Sequence, residues 1–202
     1  SAGNDGPADG TVTSPGADPT LITVGALDEH GTSARGDDTV ATFSARGTEF
    51  GASKPDLVAP GVSLVSTRAA GSTADVENPA SRVGDGYFTG SGTSMSGAVT
   101  AGAAAVLIGT RSALTPDTVK KLLTKTAYDP KNLRKADGAG DGALDLAAAL
   151  AAAPTAKIVK VKGSIAKLAD DVYGPSPDDA AAWQQFSDAW AAGDLEAVAA
   201  IW

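Results

Sequence analysis

The chain has 202 residues, of which 43% are hydrophobic and 20% charged, and its formal net charge is −8. That length suits one domain, or one domain with an appendage, and is ample for a buried core. The acidic balance repels phosphate backbones and argues against nucleic acid as a partner. With no cysteine, a disulfide framework, a thiolate metal site and a cysteine nucleophile are excluded.

No uninterrupted apolar run approaches the ~18 residues of a membrane-spanning helix, and no basic-then-apolar leader opens the chain. Ser1-Ala2-Gly3-Asn4-Asp5-Gly6 reads as the end of a strand running into a turn, a place where natural domains seldom begin. The start is therefore read as a cut, and the missing leader carries no information about secretion.

Residues 5–20, rich in Gly, Pro, Asp and Ser, read as loop. The short apolar run Leu21-Ile22-Thr23-Val24-Gly25-Ala26 predicts a strand buried on both faces, as in a parallel sheet. Val40-Ala41-Thr42-Phe43 predicts another. Leu57-Val58-Ala59 stops at Pro60-Gly61, and Val62 to Ser66 resumes after that turn. Residues 68–86 read as a surface excursion. From Thr93 the pattern becomes helical, and the small residues from Ser96 to Ala105 predict a helix packed tightly inside a core. Thr115-Pro116-Asp117 is a helix start: a cap, Pro in the first turn, then an acid against the dipole. Leu144 to Ala152 predicts a further short helix, ended by Pro154.

The region after about residue 155 has a different texture. Lys alternates with Ile and Val over 157–162, and Gly-Pro-Ser-Pro punctuates 174–177. Trp183, Phe186 and Trp190, then Leu195, Val198 and Trp202, follow helical spacing. Residues 154–202 are accordingly read as a linker and a truncated helical tail. Its aromatic stripe is read first as a packing face for a missing helical partner, and otherwise as a peptide- or protein-docking face.

Two segments carry chemistry. In Gly90-Ser91-Gly92-Thr93-Ser94-Met95-Ser96-Gly97 a serine stands where a Gly-rich loop turns into a helix. Glycine lets backbone approach a substrate, and the helix N-terminus offers unpaired N–H groups and a positive dipole end to a developing oxyanion. In Ala2-Gly3-Asn4-Asp5-Gly6 the asparagine can present its side-chain amide to such an oxyanion, although Asn is also an ordinary turn residue and Ser an ordinary helix cap. Spacing alone does not join these two segments.

Gly92-Thr93-Ser94-Met95-Ser96 resembles the G-T-S-M-[AS] nucleophile motif of the subtilisin-like serine peptidases, and Ser1 to Gly6 resembles their A-A-G-N-x-G oxyanion motif. Between them Ser14-Pro15, Leu21 to Ala26, Phe43-Ser44-Ala45-Arg46-Gly47 and Lys54 to Gly61 also resemble that family, in the family's order. Gly138-Ala139-Gly140 with Ala143-Leu144-Asp145 resembles the end of its catalytic domain. The resemblance covers roughly residues 1–152, with residues 1–153 read as the C-terminal part of the catalytic domain. It departs after the nucleophile: where the family has Ala-x-Pro-x-Val-Ala-Gly, Ser96 to Gly102 lacks the proline.

The resemblance implies a three-layer α/β sandwich around a mostly parallel sheet. It implies Ser94 as the nucleophile of peptide-bond hydrolysis, and Asn4 with the Ser94 N–H as oxyanion donors. Ser1, Ala2 and Gly3 would form a wall of the pocket for the side chain before the scissile bond. The triad's Asp and His lie before the oxyanion Asn in this family, so a polypeptide of residues 1–202 alone is expected to be inactive. Secretion, an N-terminal prosegment in the parent protein and structural calcium bound largely through backbone oxygens are further implications.

Other readings stay open. The chain could belong to a non-catalytic scaffold or binding protein of this fold, or to an esterase using the same serine. His30, the sole histidine, lies in the polar stretch Asp28-Glu29-His30-Gly31 and reads as a loop residue rather than the base for Ser94. Asp137 to Gly142 with Asp145 hints at a calcium loop, but Ala139 and Ala148 stand where oxygen ligands are needed, so a Gly-rich turn is expected. The Asp37-Asp38 pair reads as solvated surface. No Gly-Lys-[Ser/Thr] phosphate loop occurs, and residue 96 is not the glycine of a G-x-S-x-G elbow.

Overall fold

The computed structural model describes residues 1–48, 51, 53–110, 114–129, 133 and 138–152. The expectations for the tail beyond residue 152 and for Asp137 lie outside these residues. In chain order the elements are β1 (Asp9–Val12), β2 (Val24–Asp28), β3 (Thr39–Val40), β4 (Arg46–Thr48), β5 (Leu57–Pro60) and β6 (Leu64–Thr67). There follow α1 (Thr73–Glu77), a 3-10 turn (Pro79–Ser81), β7 (Arg82–Val83), β8 (Tyr87–Gly90), α2 (Thr93–Thr110), α3 (Pro116–Lys125) and α4 (Leu146–Ala152).

The apolar runs reach the centre of the sheet, the first of them shifted: its strand is Val24–Asp28, and Leu21 lies exposed ahead of it. β2 pairs in parallel with β5, Val24 opposite Leu57 through Leu27 opposite Pro60, and antiparallel with the short β3. Both central strands are buried on both faces, as a continuous run of Val, Leu and Ala requires. On the other edge of β2 the Ala2 N–H donates to Val24 O at 2.9 Å, and the Ala41 N–H to Ala26 O at 2.9 Å. The segment leading to Asn4 is thereby fixed to the sheet.

α2 crosses this sheet. Thr93, Ser96, Thr100, Ala103 and Leu107 form its buried face. Contact is close because Gly61 carries no side chain: a Cβ there would lie 2.2 Å from Ser96 Oγ and 2.7 Å from Ala26 Cβ. Leu107 joins Val119, Leu123 and Ala149 in one apolar cluster, so α2, α3 and α4 share a core. Thr115 caps α3 by accepting the Thr118 N–H, with Pro116 at the first turn and Asp117 behind it.

Several expectations need correction. α2 is not enclosed by core: Ala101, Gly102, Ala105, Val106, Ile108 and Gly109 are exposed. Small residues are compatible with close packing but do not demand it on every side. The helix has 18 residues and a mean hydropathy of 1.3, enough by length and composition to cross a membrane; its seat on β2 and β5 makes it part of the α/β fold. Residues 5–20 are not all loop, because β1 pairs in parallel with β4. Thr42 and Phe43 turn instead of extending, which lets the Ser44 hydroxyl accept the Ala26 N–H at 3.0 Å. The 68–86 excursion has its own order. β6, β8 and β7 form an antiparallel sheet, and buried Asp75 of α1 accepts from Arg68 Nε and Nη2, Arg82 Nε and the Gly71 N–H.

Candidate functional site

The site forms where the segment after Ala2 meets the N-terminus of α2. β5 ends at Pro60-Gly61, and the Gly92 N–H donates to Gly61 O at 2.8 Å, which sets the start of α2 over the end of that strand. Ser94, in the first turn, is exposed, while Thr93 beside it is buried.

Thr93 ties the two segments together. Its backbone N–H and its hydroxyl both lie 3.0 Å from Asn4 Oδ1, and the Gly3 N–H lies 3.1 Å from Thr93 Oγ1. A backbone N–H can only donate, so the Thr93 hydroxyl accepts from Gly3 and sends its own proton to Asn4. Asn4 Oδ1 therefore faces two donors. A flipped carboxamide would set its NH2 against them, so Nδ2 is the atom directed elsewhere.

Gly92 shows where it is directed. At φ +154, a Cβ built on Gly92 would lie 3.5 Å from Asn4 Nδ2 and 3.9 Å from the Ser94 nitrogen. Asn4 Nδ2 and the Ser94 nitrogen thus lie within 4 Å of one point beside Gly92, where no side chain stands. Among the described residues no hydrogen bond takes the Ser94 N–H. Two nitrogens that carry N–H groups therefore lie close together at the N-terminus of α2.

Beside Ser94 a groove of about 510 Å³ is lined by Ser1, Ile22, Val24, Gly97, Thr100, Ala101 and Ala104. Ser1 is exposed, Ala2 buried and Gly3 half-buried, so of the three expected wall residues Ser1 reaches this groove. His30 is elsewhere: its Nε2 meets Thr39 Oγ1 at 2.9 Å and its Nδ1 faces Asp28 at 3.7 Å.

A second polar cleft, about 140 Å³, lies by Glu29, Arg35, Asp38, Tyr128 and Leu144. Asp38 is not solvated surface: it is buried and accepts the Tyr128 hydroxyl at 2.5 Å, while Asp37 is exposed. Threonine, valine and the two acids in sequence do not show which acid turns inward. Burial first, then the bond to Asp38, holds the Tyr128 hydroxyl protonated well beyond its ordinary range. Burial, then Asp38 and Asp28, raises the Glu29 carboxyl. Arg35 stacks on the Tyr128 ring, 4.3 Å from its centroid, and pairs with Asp145 at 2.6 Å. The Ala148 N–H, then Arg35, lowers the Asp145 carboxyl, which opens α4 by accepting that N–H.

Among the described residues no three His, Cys, Asp or Glu side chains are grouped to hold a metal ion. Elsewhere Pro19 O, Leu21 O and both Asp56 carboxylate oxygens converge, the donor chemistry of a calcium site. The ammonium groups of Lys54 and Lys120 stand among these oxygens, so as built they do not fit a metal.

Residues 1–145 match the family model described as the subtilase family. Serine protease AprX of Bacillus subtilis (strain 168) is 51% identical over 123 residues, 60% of this chain and 28% of AprX. A Pseudoalteromonas arctica PAMC 21717 protease structure gives a TM-score of 0.56 at 27% identity, covering 75% of this chain and 41% of that one. Fervidolysin of Fervidobacterium pennivorans, described as a keratinolytic enzyme related to subtilisin, gives 0.54 at 32% identity, covering 71% of this chain and 21% of its own. The chain thus spans less than half the length of each of these relatives. With a family match over residues 1–145 and a shared α/β sandwich, the chain belongs to the subtilase family.

Proposed function

We propose that Ser94 is the nucleophile of a serine endopeptidase. Its hydroxyl attacks the scissile carbonyl carbon, and the oxyanion that forms lies between Asn4 Nδ2 and the Ser94 N–H. The single observation that supports this reading is the approach of Asn4 Nδ2 and the Ser94 nitrogen to one point beside Gly92. Ser1, which lines the groove beside Ser94, walls the pocket for the preceding side chain together with the backbone of Ala2 and Gly3. As the tetrahedral intermediate collapses, the C–N bond breaks and the leaving amine takes a proton. Water then hydrolyses the acyl-Ser94 ester.

Acylation needs a base to take the Ser94 proton and hand it to the leaving amine, since serine at neutral pH is a weak nucleophile; in deacylation the same base takes a proton from water and returns it to Ser94. His30 is engaged with Thr39 and Asp28. The base and its aspartate are therefore assigned to the part of the catalytic domain that precedes the oxyanion asparagine in this family. A polypeptide substrate, an N-terminal prosegment and secretion belong to the same proposal, on family grounds.

A fluorophosphonate probe on the longer polypeptide that includes that part is expected to label Ser94, with casein hydrolysis alongside; Ser94→Ala should abolish both. Residues 1–202 alone should show no amidase activity above background. Turnover by them would overturn the assignment of the base. Labelling without casein cleavage would indicate an esterase. The rival reading is a non-catalytic scaffold of this fold, and neither labelling nor cleavage in the longer polypeptide would establish it.

A further inference from the structure

Lys54 precedes Pro55 across a cis peptide bond, just before β5 begins at Leu57, and its side chain is only 4% exposed. Lysine is seldom buried without partners for its charge. Here the partners are complete. Lys54 Nζ donates to Leu21 O at 3.2 Å, Thr23 Oγ1 at 3.2 Å and Asp56 Oδ2 at 2.9 Å. Lys120 Nζ, arriving from α3, donates to Pro19 O at 2.7 Å and Leu21 O at 2.6 Å, and pairs with Asp56 Oδ1 at 3.1 Å. An ammonium has three N–H donors, and each of these two meets three oxygens.

The acceptors come from two chain segments. Pro19, Leu21 and Thr23 belong to the approach to β2, and Asp56 to the approach to β5. Asp56 Oδ2 also accepts the Thr23 N–H at 2.7 Å, and the Asp56 N–H returns to Thr23 O at 2.8 Å. Backbone carbonyls, a hydroxyl and a carboxylate, shared between two ammonium groups that meet at Leu21 O, are the oxygen types of a hard-cation cage. Two ammonium groups bring the charge of one divalent ion, and they are tethered to the chain.

We infer that Lys54 and Lys120 act as built-in cations: they fill an oxygen cage that would otherwise take calcium, and they hold the 16–23 loop to β5 and α3 without metal. The consequence is that this junction, which leads into β2 beside the Asn4 segment, does not depend on calcium. The inference does not rest on the catalytic reading and is tested on the 202-residue chain.

Thermal melts in EDTA and in millimolar calcium are expected to coincide for the native chain. Lys120→Met, at a position 22% exposed, should fold and melt lower. The double variant Lys54→Met/Lys120→Met should melt roughly 6–20 °C lower, since breaking a buried ion pair is costly. Calcium should recover at least half of that loss, with one ion bound in a calorimetric titration, and no recovery once Asp56→Asn is added. If the double variant does not fold, the Lys120→Met chain carries the same comparison, and calcium should recover part of its loss. The inference is overturned if calcium raises the melting temperature of the native chain and Asp56→Asn abolishes that rise. It is equally overturned if Lys120→Met melts with the native chain, or if calcium recovers nothing in the variants that lose stability.

Discussion

Single atoms decide the candidate oxyanion site. Thr93→Val keeps the shape and the backbone N–H but removes the hydroxyl proton that Asn4 Oδ1 accepts. If Asn4 acts as proposed, the longer polypeptide carrying Thr93→Val should lose about tenfold in kcat with KM unchanged, against ~10²–10³ for loss of the donor itself. Thr93→Ser should restore the rate, and in an Asn4→Ala background Thr93→Val should cost little more. Steady-state kinetics on the four variants would show an independent role for Thr93 if the losses simply multiplied. Asn4→Asp should be worse than Asn4→Ala, because it sets a negative oxygen where the oxyanion forms. Ser96 gives a test of the opposite sign. Its hydroxyl is buried with no hydrogen-bond partner among the described residues. An orphaned polar group costs about 1–3 kcal/mol, so Ser96→Ala should raise the melting temperature by a few degrees without unfolding α2.

At the scale of elements, the excursion between β6 and β8 depends on one carboxylate. Arg68, then the Gly71 N–H and Arg82, hold the Asp75 carboxyl well below the usual carboxylate range. A lowered pKa in the folded state gives stability that is complete above the unfolded value near 3.9 and is lost as pH falls through the lower folded value. Hydrogen exchange in β6, β7 and β8 should therefore stay slow until pH drops well below 3.9. In Asp75→Asn it should be fast already at neutral pH. Tyr128→Phe removes a donor to the buried Asp38 and should cost about 1.5–3 kcal/mol in a denaturant melt.

These elements were unequally legible in the sequence. β2, β5 and α3 announced themselves through apolar runs and a Thr-Pro-Asp cap, because local composition alone forms them. β1, with the sequence Asp-Gly-Thr-Val, has poor strand propensity and exists through its distant partner β4. The motif showed Ser94 and Asn4. It did not show that Thr93 sets the Asn4 orientation, since a hydroxyl inside a motif has no visible direction. Nor could Lys54 be read as buried, because a lysine before proline looks like solvated loop until its three acceptors are brought together.

At the scale of the whole molecule, α2 lies between two halves of the proposed chemistry. One face seats on β2 and β5. The groove along Gly97, Ala101 and Ala104 opens beside Ser94, and the base must approach across it if Ser94 is the nucleophile. Ala101 is exposed, so Ala101→Glu should leave the melting temperature of residues 1–202 within about 1 °C. It should nevertheless abolish casein cleavage by the longer polypeptide, and retained cleavage would show that nothing closes over this face. The same helix has no charged residue in 18, while the chain carries a net charge of −8. Mutual repulsion keeps copies of residues 1–202 apart only over the Debye length, about 8 Å at 0.15 M salt. Rising ionic strength should therefore drive these polypeptides to cluster through α2, the reverse of an assembly held by ion pairs, and light scattering across a salt series would register the difference.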